Sequence, residues 1–273
     1  MGWLYVLPAF LLYAGFLLFP LGRATQFSFY DWDGVSVGTW AGLSNYAEIL
    51  TDDTLRNAFA HALVLMLFFA VLPLGIGLLL ASVLNRAKVR GLGFFRTVVF
   101  LPQVVAMVVI AVAWRRIYDP NSGFGPVRGW LGDYGLALPA VGLIGTWFEA
   151  GLVTVLLLAG MGRIPRELYE AARLDGAGAV REFRAVTLPS VRGEIAVALT
   201  LTVIAALKTF DLIYVTTKGG PGTSTLVPSY LVYDNAFGKG QVGLAAAIGV
   251  VLTLLIFVIS YLINRIGDSE AAA

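Results

Sequence analysis

At 273 residues, 58% hydrophobic and only 13% charged, the chain lacks the charged skin that a soluble domain of this size needs. Its mean hydropathy of +0.82 points to the membrane class before any motif is read. A formal net charge of +2 gives no sign of a nucleic-acid partner, the absence of cysteine excludes disulfides, iron–sulfur ligation and thiol catalysis, and the single histidine, His61, excludes a histidine-rich metal site within the chain.

A membrane-crossing helix needs about 20 mostly apolar residues. Six segments qualify: 3–21; 59–84, with Pro73 inside; 97–117, with Pro102 near its start; 139–162; 195–217; and 242–263. Interior prolines are tolerated in spans because neighbouring helices satisfy the freed carbonyls. The first segment lacks the basic n-region and small-residue cleavage site of a signal peptide, so it reads as a span. The sequence therefore predicts an all-α integral membrane fold, with one transmembrane domain over residues 1–273 and no internal repeat.

Lysine and arginine in the loops orient the spans. Arg86, Lys88, Arg90 and Arg96 follow the second span, and Arg163, Arg166, Arg173, Arg181, Arg184 and Arg192 follow the fourth. Arg265 follows the sixth. The long loop 22–58 carries only Arg23 and Arg56 and is acidic and aromatic instead ("YDWDG", "WAGLSNYAEIL"). Arg128 lies after the third span, whose end carries Arg115 and Arg116; Lys218 and Lys239 lie after the fifth. Both termini and the two arginine-rich loops are expected in the cytoplasm.

The longer of those loops, 163–192, differs from the rest of the chain. "IPRELYEAARL" predicts a short helix, with Pro165 in its first turn, where a missing N–H costs nothing. Leu168, Ala171 and Ala172 share one face, and Arg166, Glu167, Glu170 and Arg173 fall largely on the other. "DGAG" breaks the helix, since Gly176 and Gly178 can adopt backbone angles other residues avoid. A second short helix, about 179–187, carries Val180, Phe183 and Thr187 on one stripe, and Pro189 is expected to end it. On spacing alone this helix–turn–helix is either a connector resting on lipid headgroups or a docking knob for a cytoplasmic partner.

"EAARLDGAGAVREFRAVTLP" resembles the EAA motif of ABC importer permeases, through Glu170, Ala171, Ala172, Asp175, Gly176, Ala177, Phe183, Leu188 and Pro189. The resemblance covers nearly the whole chain, because six spans form the type I importer core. It implies that the loop is a coupling helix seated in a cleft of a separate ATPase subunit, with Glu170 as the charged contact and Gly176 as the turn. It implies a second homologous permease subunit, two ATPase subunits that bind ATP and magnesium, an extracytoplasmic solute-binding protein, and a place in the bacterial or archaeal cytoplasmic membrane. The chain itself would hold no cofactor or metal and catalyse no reaction. In keeping with this, the sequence contains no G-x-x-x-x-G-K-[ST] phosphate loop. "FDLIYVTTKGGPGTSTLV", from Phe210, and the outer-loop stretches "SFYDWDG" and "GLSNYAEIL" resemble carbohydrate permeases of the maltose-transporter type. "GGP" at 219–221 is typical of the first of two paired permeases. The chain looks like the compact six-span version, seen in oligosaccharide and in glycerol-phosphate importers.

Ionisable groups inside spans are costly and are default site candidates. Glu149 lies mid-way along the fourth span, beside Trp147 and Phe148. Lys208 and Asp211 lie in the outer half of the fifth at a spacing that would put them on one helix face as a pair, with Phe210 and Tyr214 close by. Hydrogen-bonding groups beside aromatic faces suit a sugar passage. The same residues also read as a self-neutralising pair, an interhelical hydrogen bond and interfacial aromatics. Two rival classes remain. An ion-gradient transporter could use Glu149 or Asp211 as proton carriers but has no need of the cytoplasmic motif. A membrane-embedded enzyme is opposed by one histidine, no cysteine and scattered carboxylates.

Overall fold

The computed structural model describes residues 3–86 and 91–269. Lys88 and Arg90 of the first basic loop lie outside the described residues. In chain order the helices are α1 (Tyr5–Phe27), α2 (Ser44–Thr51), α3 (Asp53–Asn85), α4 (Gly93–Val104), α5 (Met107–Ile117), α6 (Ala137–Met161), α7 (Arg166–Leu174), α8 (Ala179–Ser190), α9 (Arg192–Leu207), α10 (Asp211–Thr216), α11 (Pro228–Tyr233) and α12 (Val242–Gly267). Among the described residues, α1, α3, α6 and α12 are each long and apolar enough to cross a membrane. The pair α4–α5 is bent by 94° and the pair α8–α9 by 70°; counting each pair as one gives up to six candidate spans by length and composition, although α8 itself lies within the loop 163–192.

Two predicted spans need correction. The third, 97–117, is not continuous. Pro102 offers no N–H to the preceding turn and crowds its carbonyl, and within three residues the chain leaves the helix at Val105 (ψ 134°) and Ala106 (ψ 135°) before α5 begins. The fifth, 195–217, is also interrupted. Helix α9 closes on Lys208 (φ −93°, ψ 3°), and α10 starts only after Phe210 (φ −112°, ψ −56°). Irregular backbone at membrane depth survives where it is buried in protein or lines a cavity; this break lines one. The fourth span, 139–162, matches α6, whereas α1 runs beyond the predicted 3–21 to Phe27.

Two compact units divide the chain: Met1–Ala60 with Leu226–Leu255, and His61–Thr225 with Ile256–Ala273. In the first, β1 (Tyr30–Asp31) pairs antiparallel with β2 (Thr39–Trp40), Tyr30 opposite Trp40. Asn45 pins this hairpin by donating from Nδ2 to the carbonyls of Ser28 (2.9 Å) and Tyr30 (3.0 Å). Ile49, Leu55, Ala58, Leu231, Leu244, Ala247 and Ile248 form the core beneath it.

In the second unit α6 is buried along most of its length, as an all-round apolar helix must be. Its lower half packs with Ala81, Val191 and Ala198 around Val153, Leu157, Leu158 and Met161. Close helix approach depends on small residues. A Cβ at Gly151 would collide with the Val99 carbonyl oxygen of α4, so only glycine admits that crossing.

Candidate functional site

The loop 163–192 folds as helix, turn, helix. Pro165 (φ −58°, ψ 137°) stands just before α7 rather than within its first turn. At the other end of α7, Gly176 takes φ +75°, its N–H bonds the Arg173 carbonyl (3.0 Å), and the Ala177 N–H bonds the Ala172 carbonyl (2.9 Å). This is a Schellman motif, in which the left-handed residue is glycine because a Cβ is strained there. Gly178 sits at φ −72°, ψ 171°, an ordinary extended geometry, so the turn depends on Gly176 alone.

Pro189 does not end the second helix. A π turn over Phe183–Thr187, closed by the Leu188 N–H on the Phe183 carbonyl, precedes it, and the helix continues to Ser190. The wide turn relieves the clash a proline ring makes with the carbonyl four residues back.

Two contacts brace α7 against α8. The Tyr169 hydroxyl meets Thr187 Oγ1 at 3.2 Å, and Arg173 Nε donates to Oε2 of the buried Glu182 at 3.0 Å. That hydrogen bond, together with the charge of Glu182, holds the Arg173 guanidinium above its ordinary pKa. Spacing alone did not reveal these braces, although Tyr169 and Arg173, four residues apart, share a helix face. With them in place, Glu170, Ala171, Asp175, Gly176 and Pro189 stay exposed, and Ala172, Ala177, Phe183 and Leu188 are half-buried. Leu168 and Leu174, the latter 89% exposed, add apolar surface to the outward side.

The membrane-depth candidates gather around a cavity of about 390 Å³ within the second unit. Phe148 and Glu149 line it from α6, Lys208, Thr209 and Phe210 from the break after α9, and Asp211 from the start of α10. Phe69 and Met107 close it with apolar surface that carried no signal in the sequence. Lys208 and Asp211 do not pair: no salt bridge links them among the described residues, because the break destroys the common helix face expected of them. Both are exposed and line the same cavity. Tyr214 is one layer removed, stacked on Phe210 at 5.3 Å. Trp147 points elsewhere, edge-on to Trp114 at 5.7 Å, because one helical step turns it about 100° from Phe148.

Glu149 is only 3% exposed. Its one hydrogen-bonding partner among the described residues is Gln103, whose Nε2 donates to Oε2 at 3.4 Å and to the Phe148 carbonyl at 2.9 Å. An amide beside a proline in an apolar run was the available signal for Gln103. The cavity thus combines apolar faces at Phe148 and Phe210, acceptors at Glu149 and Asp211, and donors at Lys208 and Thr209. Such a lining can hold a polyhydroxylated solute.

Residues 73–269 match the family described as "Binding-protein-dependent transport system inner membrane component". The diacetylchitobiose uptake system permease protein NgcF of Streptomyces coelicolor is 34% identical over 284 residues, covering 94% of this chain and 80% of that protein. The trehalose/maltose transport system permease protein MalF of Thermococcus litoralis is 32% identical, covering 96% and 92%. A bacterial ABC transporter involved in import of the acidic polysaccharide alginate superposes with a TM-score of 0.82 at 22% identity, covering 98% of this chain and 94% of its counterpart. The fold is therefore that of a type I ABC importer permease. The chain belongs to the family of inner-membrane components of binding-protein-dependent transport systems.

Proposed function

We propose that this chain forms half of the translocation pathway of an ATP-driven carbohydrate importer. The observation that carries the reading is the membrane-depth cavity, in which aromatic faces and hydrogen-bonding groups of both kinds converge. The names of its relatives, which specify diacetylchitobiose and trehalose or maltose, support the solute class. A solute-binding protein delivers the sugar, a second homologous permease supplies the other half of the pathway, and two ATPase subunits bind ATP and magnesium. Glu170, Ala171 and Asp175, exposed on and beside α7, meet the ATPase. The turn at Gly176 and the two braces let α7 and α8 pass its motion to the spans as one body. Both termini face the cytoplasm.

The test is uptake by the complete complex in proteoliposomes, with its binding protein and a panel of labelled neutral disaccharides including maltose, trehalose, lactose and diacetylchitobiose. Accumulation of at least one sugar that depends on ATP is the expected result. Accumulation driven by a proton gradient without ATP would overturn the mechanism, and transport of amino acids but no sugar would overturn the solute class.

A further inference from the structure

The break in the third predicted span lies against α6 at the level of the cavity. Helix α4 approaches α6 so closely that the Val99 carbonyl occupies the space a side chain at position 151 would need. One turn further along α4, beside the proline that precedes the break, stands Gln103. Its amide nitrogen divides two donated hydrogen bonds between a backbone carbonyl of α6, that of Phe148, and the carboxylate of the next residue, Glu149. The backbone contact anchors the amide, and the anchored amide fixes Oε2 of Glu149. Oε1 accepts no hydrogen bond among the described residues, it is not sealed off by neighbouring atoms, and Glu149 lines the cavity.

We infer that Gln103 is a positioning residue of the translocation site: it holds one oxygen of Glu149 so that the other is presented to the cavity as acceptor for a solute hydroxyl. The inference deepens the carbohydrate reading and rests on it for the identity of the hydroxyl. An acceptor held at one oxygen has its geometry set before the solute arrives, so less orientational freedom is lost on binding. Gln103 sits beside the joint of the bent pair α4–α5, so a change of angle there would alter the aim of Glu149.

The experiment uses the complete complex and whichever disaccharide of the panel it carries, measured by equilibrium binding without ATP or binding protein. Gln103→Leu is expected to weaken binding about tenfold, the scale of a single hydrogen bond. Gln103→Met, unbranched and similar in length, serves if the leucine variant fails to assemble. The decisive arm is a double-mutant cycle with Glu149→Ala, which removes the acceptor altogether. If Gln103 acts through Glu149, Gln103→Leu adds less than twofold once Glu149 is changed. A full tenfold loss in both backgrounds would make Gln103 a structural joint and overturn the inference. Infrared difference spectra of the carboxylate stretch give a readout that needs no sugar. The band removed by Glu149→Gln is expected to shift in Gln103→Leu, and an unshifted band overturns the inference. If no sugar binds but the band shifts, the carbohydrate reading fails and the positioning role stands.

Discussion

The loop 163–192 and the cavity around Glu149 are built on opposite plans. The loop is a local structure: its two helices and the turn between them come from 25 consecutive residues, Arg166–Leu174 through Ala179–Ser190, and its braces reach 18 residues at most. The cavity draws on α3, α5, α6, α9 and α10, and its key hydrogen bond joins residues 46 apart in sequence. A local structure can move as one body because its restraints travel with it. An assembled site changes shape when any of its helices shifts. An importer needs both properties, a stiff element that receives motion and a lining that motion can rearrange.

The loop should therefore fail at its turn. Gly176→Pro demands φ near −65° where the chain adopts +75°, and it deletes the N–H that bonds the Arg173 carbonyl. We expect the largest effect here: the subunit inserts and assembles, yet solute-stimulated ATP hydrolysis falls at least tenfold. Normal stimulation would separate the loop from coupling altogether. The corresponding weak point of the assembled region is a crossing. Gly151→Ala sets a methyl group against the Val99 backbone oxygen, which has no side-chain rotamer by which to yield. A cost of about 1–3 kcal/mol, typical of overpacking, is expected, seen as lower yield of folded complex and a lower midpoint in a detergent melt. An unchanged melt would mean that α4 and α6 are looser than their spacing implies.

The same contrast explains what could be read from sequence. The loop's helices, its glycine turn and its exposed face follow from spacing within one stretch, so local rules reach them. The misreading there is local too: spacing makes Pro189 a stop, because one-dimensional rules do not foresee a π turn that accommodates it. At membrane depth, Glu149, Lys208 and Asp211 stood out because charge in hydrocarbon is costly. Their relationships did not, since Lys208–Asp211 pairing assumed a continuous helix that the chain interrupts at 208–210. Phe69 and Met107 reach the cavity, and Gln103 reaches Glu149, only through packing of remote helices, and no spacing rule connects position 103 with 149.

Glu149→Ala probes the assembled site at its most buried polar residue, which has one hydrogen-bonding partner among the described residues. It removes the acceptor and leaves the Gln103 amide with the Phe148 carbonyl alone. Solute affinity of the purified complex is expected to fall about tenfold, near 1.4 kcal/mol, while Glu149→Gln, which keeps the size and one acceptor, loses less. Equal losses for the two variants would assign the effect to charge rather than to hydrogen bonding.

The smallest effect expected comes from the loop's weaker brace. Tyr169→Phe deletes one hydroxyl contact of 3.2 Å at a half-buried position. A neutral hydrogen bond of this kind contributes about 0.5–1 kcal/mol, so the population in which α7 and α8 separate should rise roughly two- to fivefold. Limited proteolysis at Arg181 and Arg184 reads that population when opening is fast relative to cleavage. Solute-stimulated ATP hydrolysis should fall by less than half, because the Arg173–Glu182 bond and the Schellman turn remain. If Tyr169→Phe instead uncoupled the complex as fully as Gly176→Pro, stiffness would reside in the brace rather than the turn. The loop would then resemble the cavity, depending on contacts between separate helices and not on the conformation of a single residue.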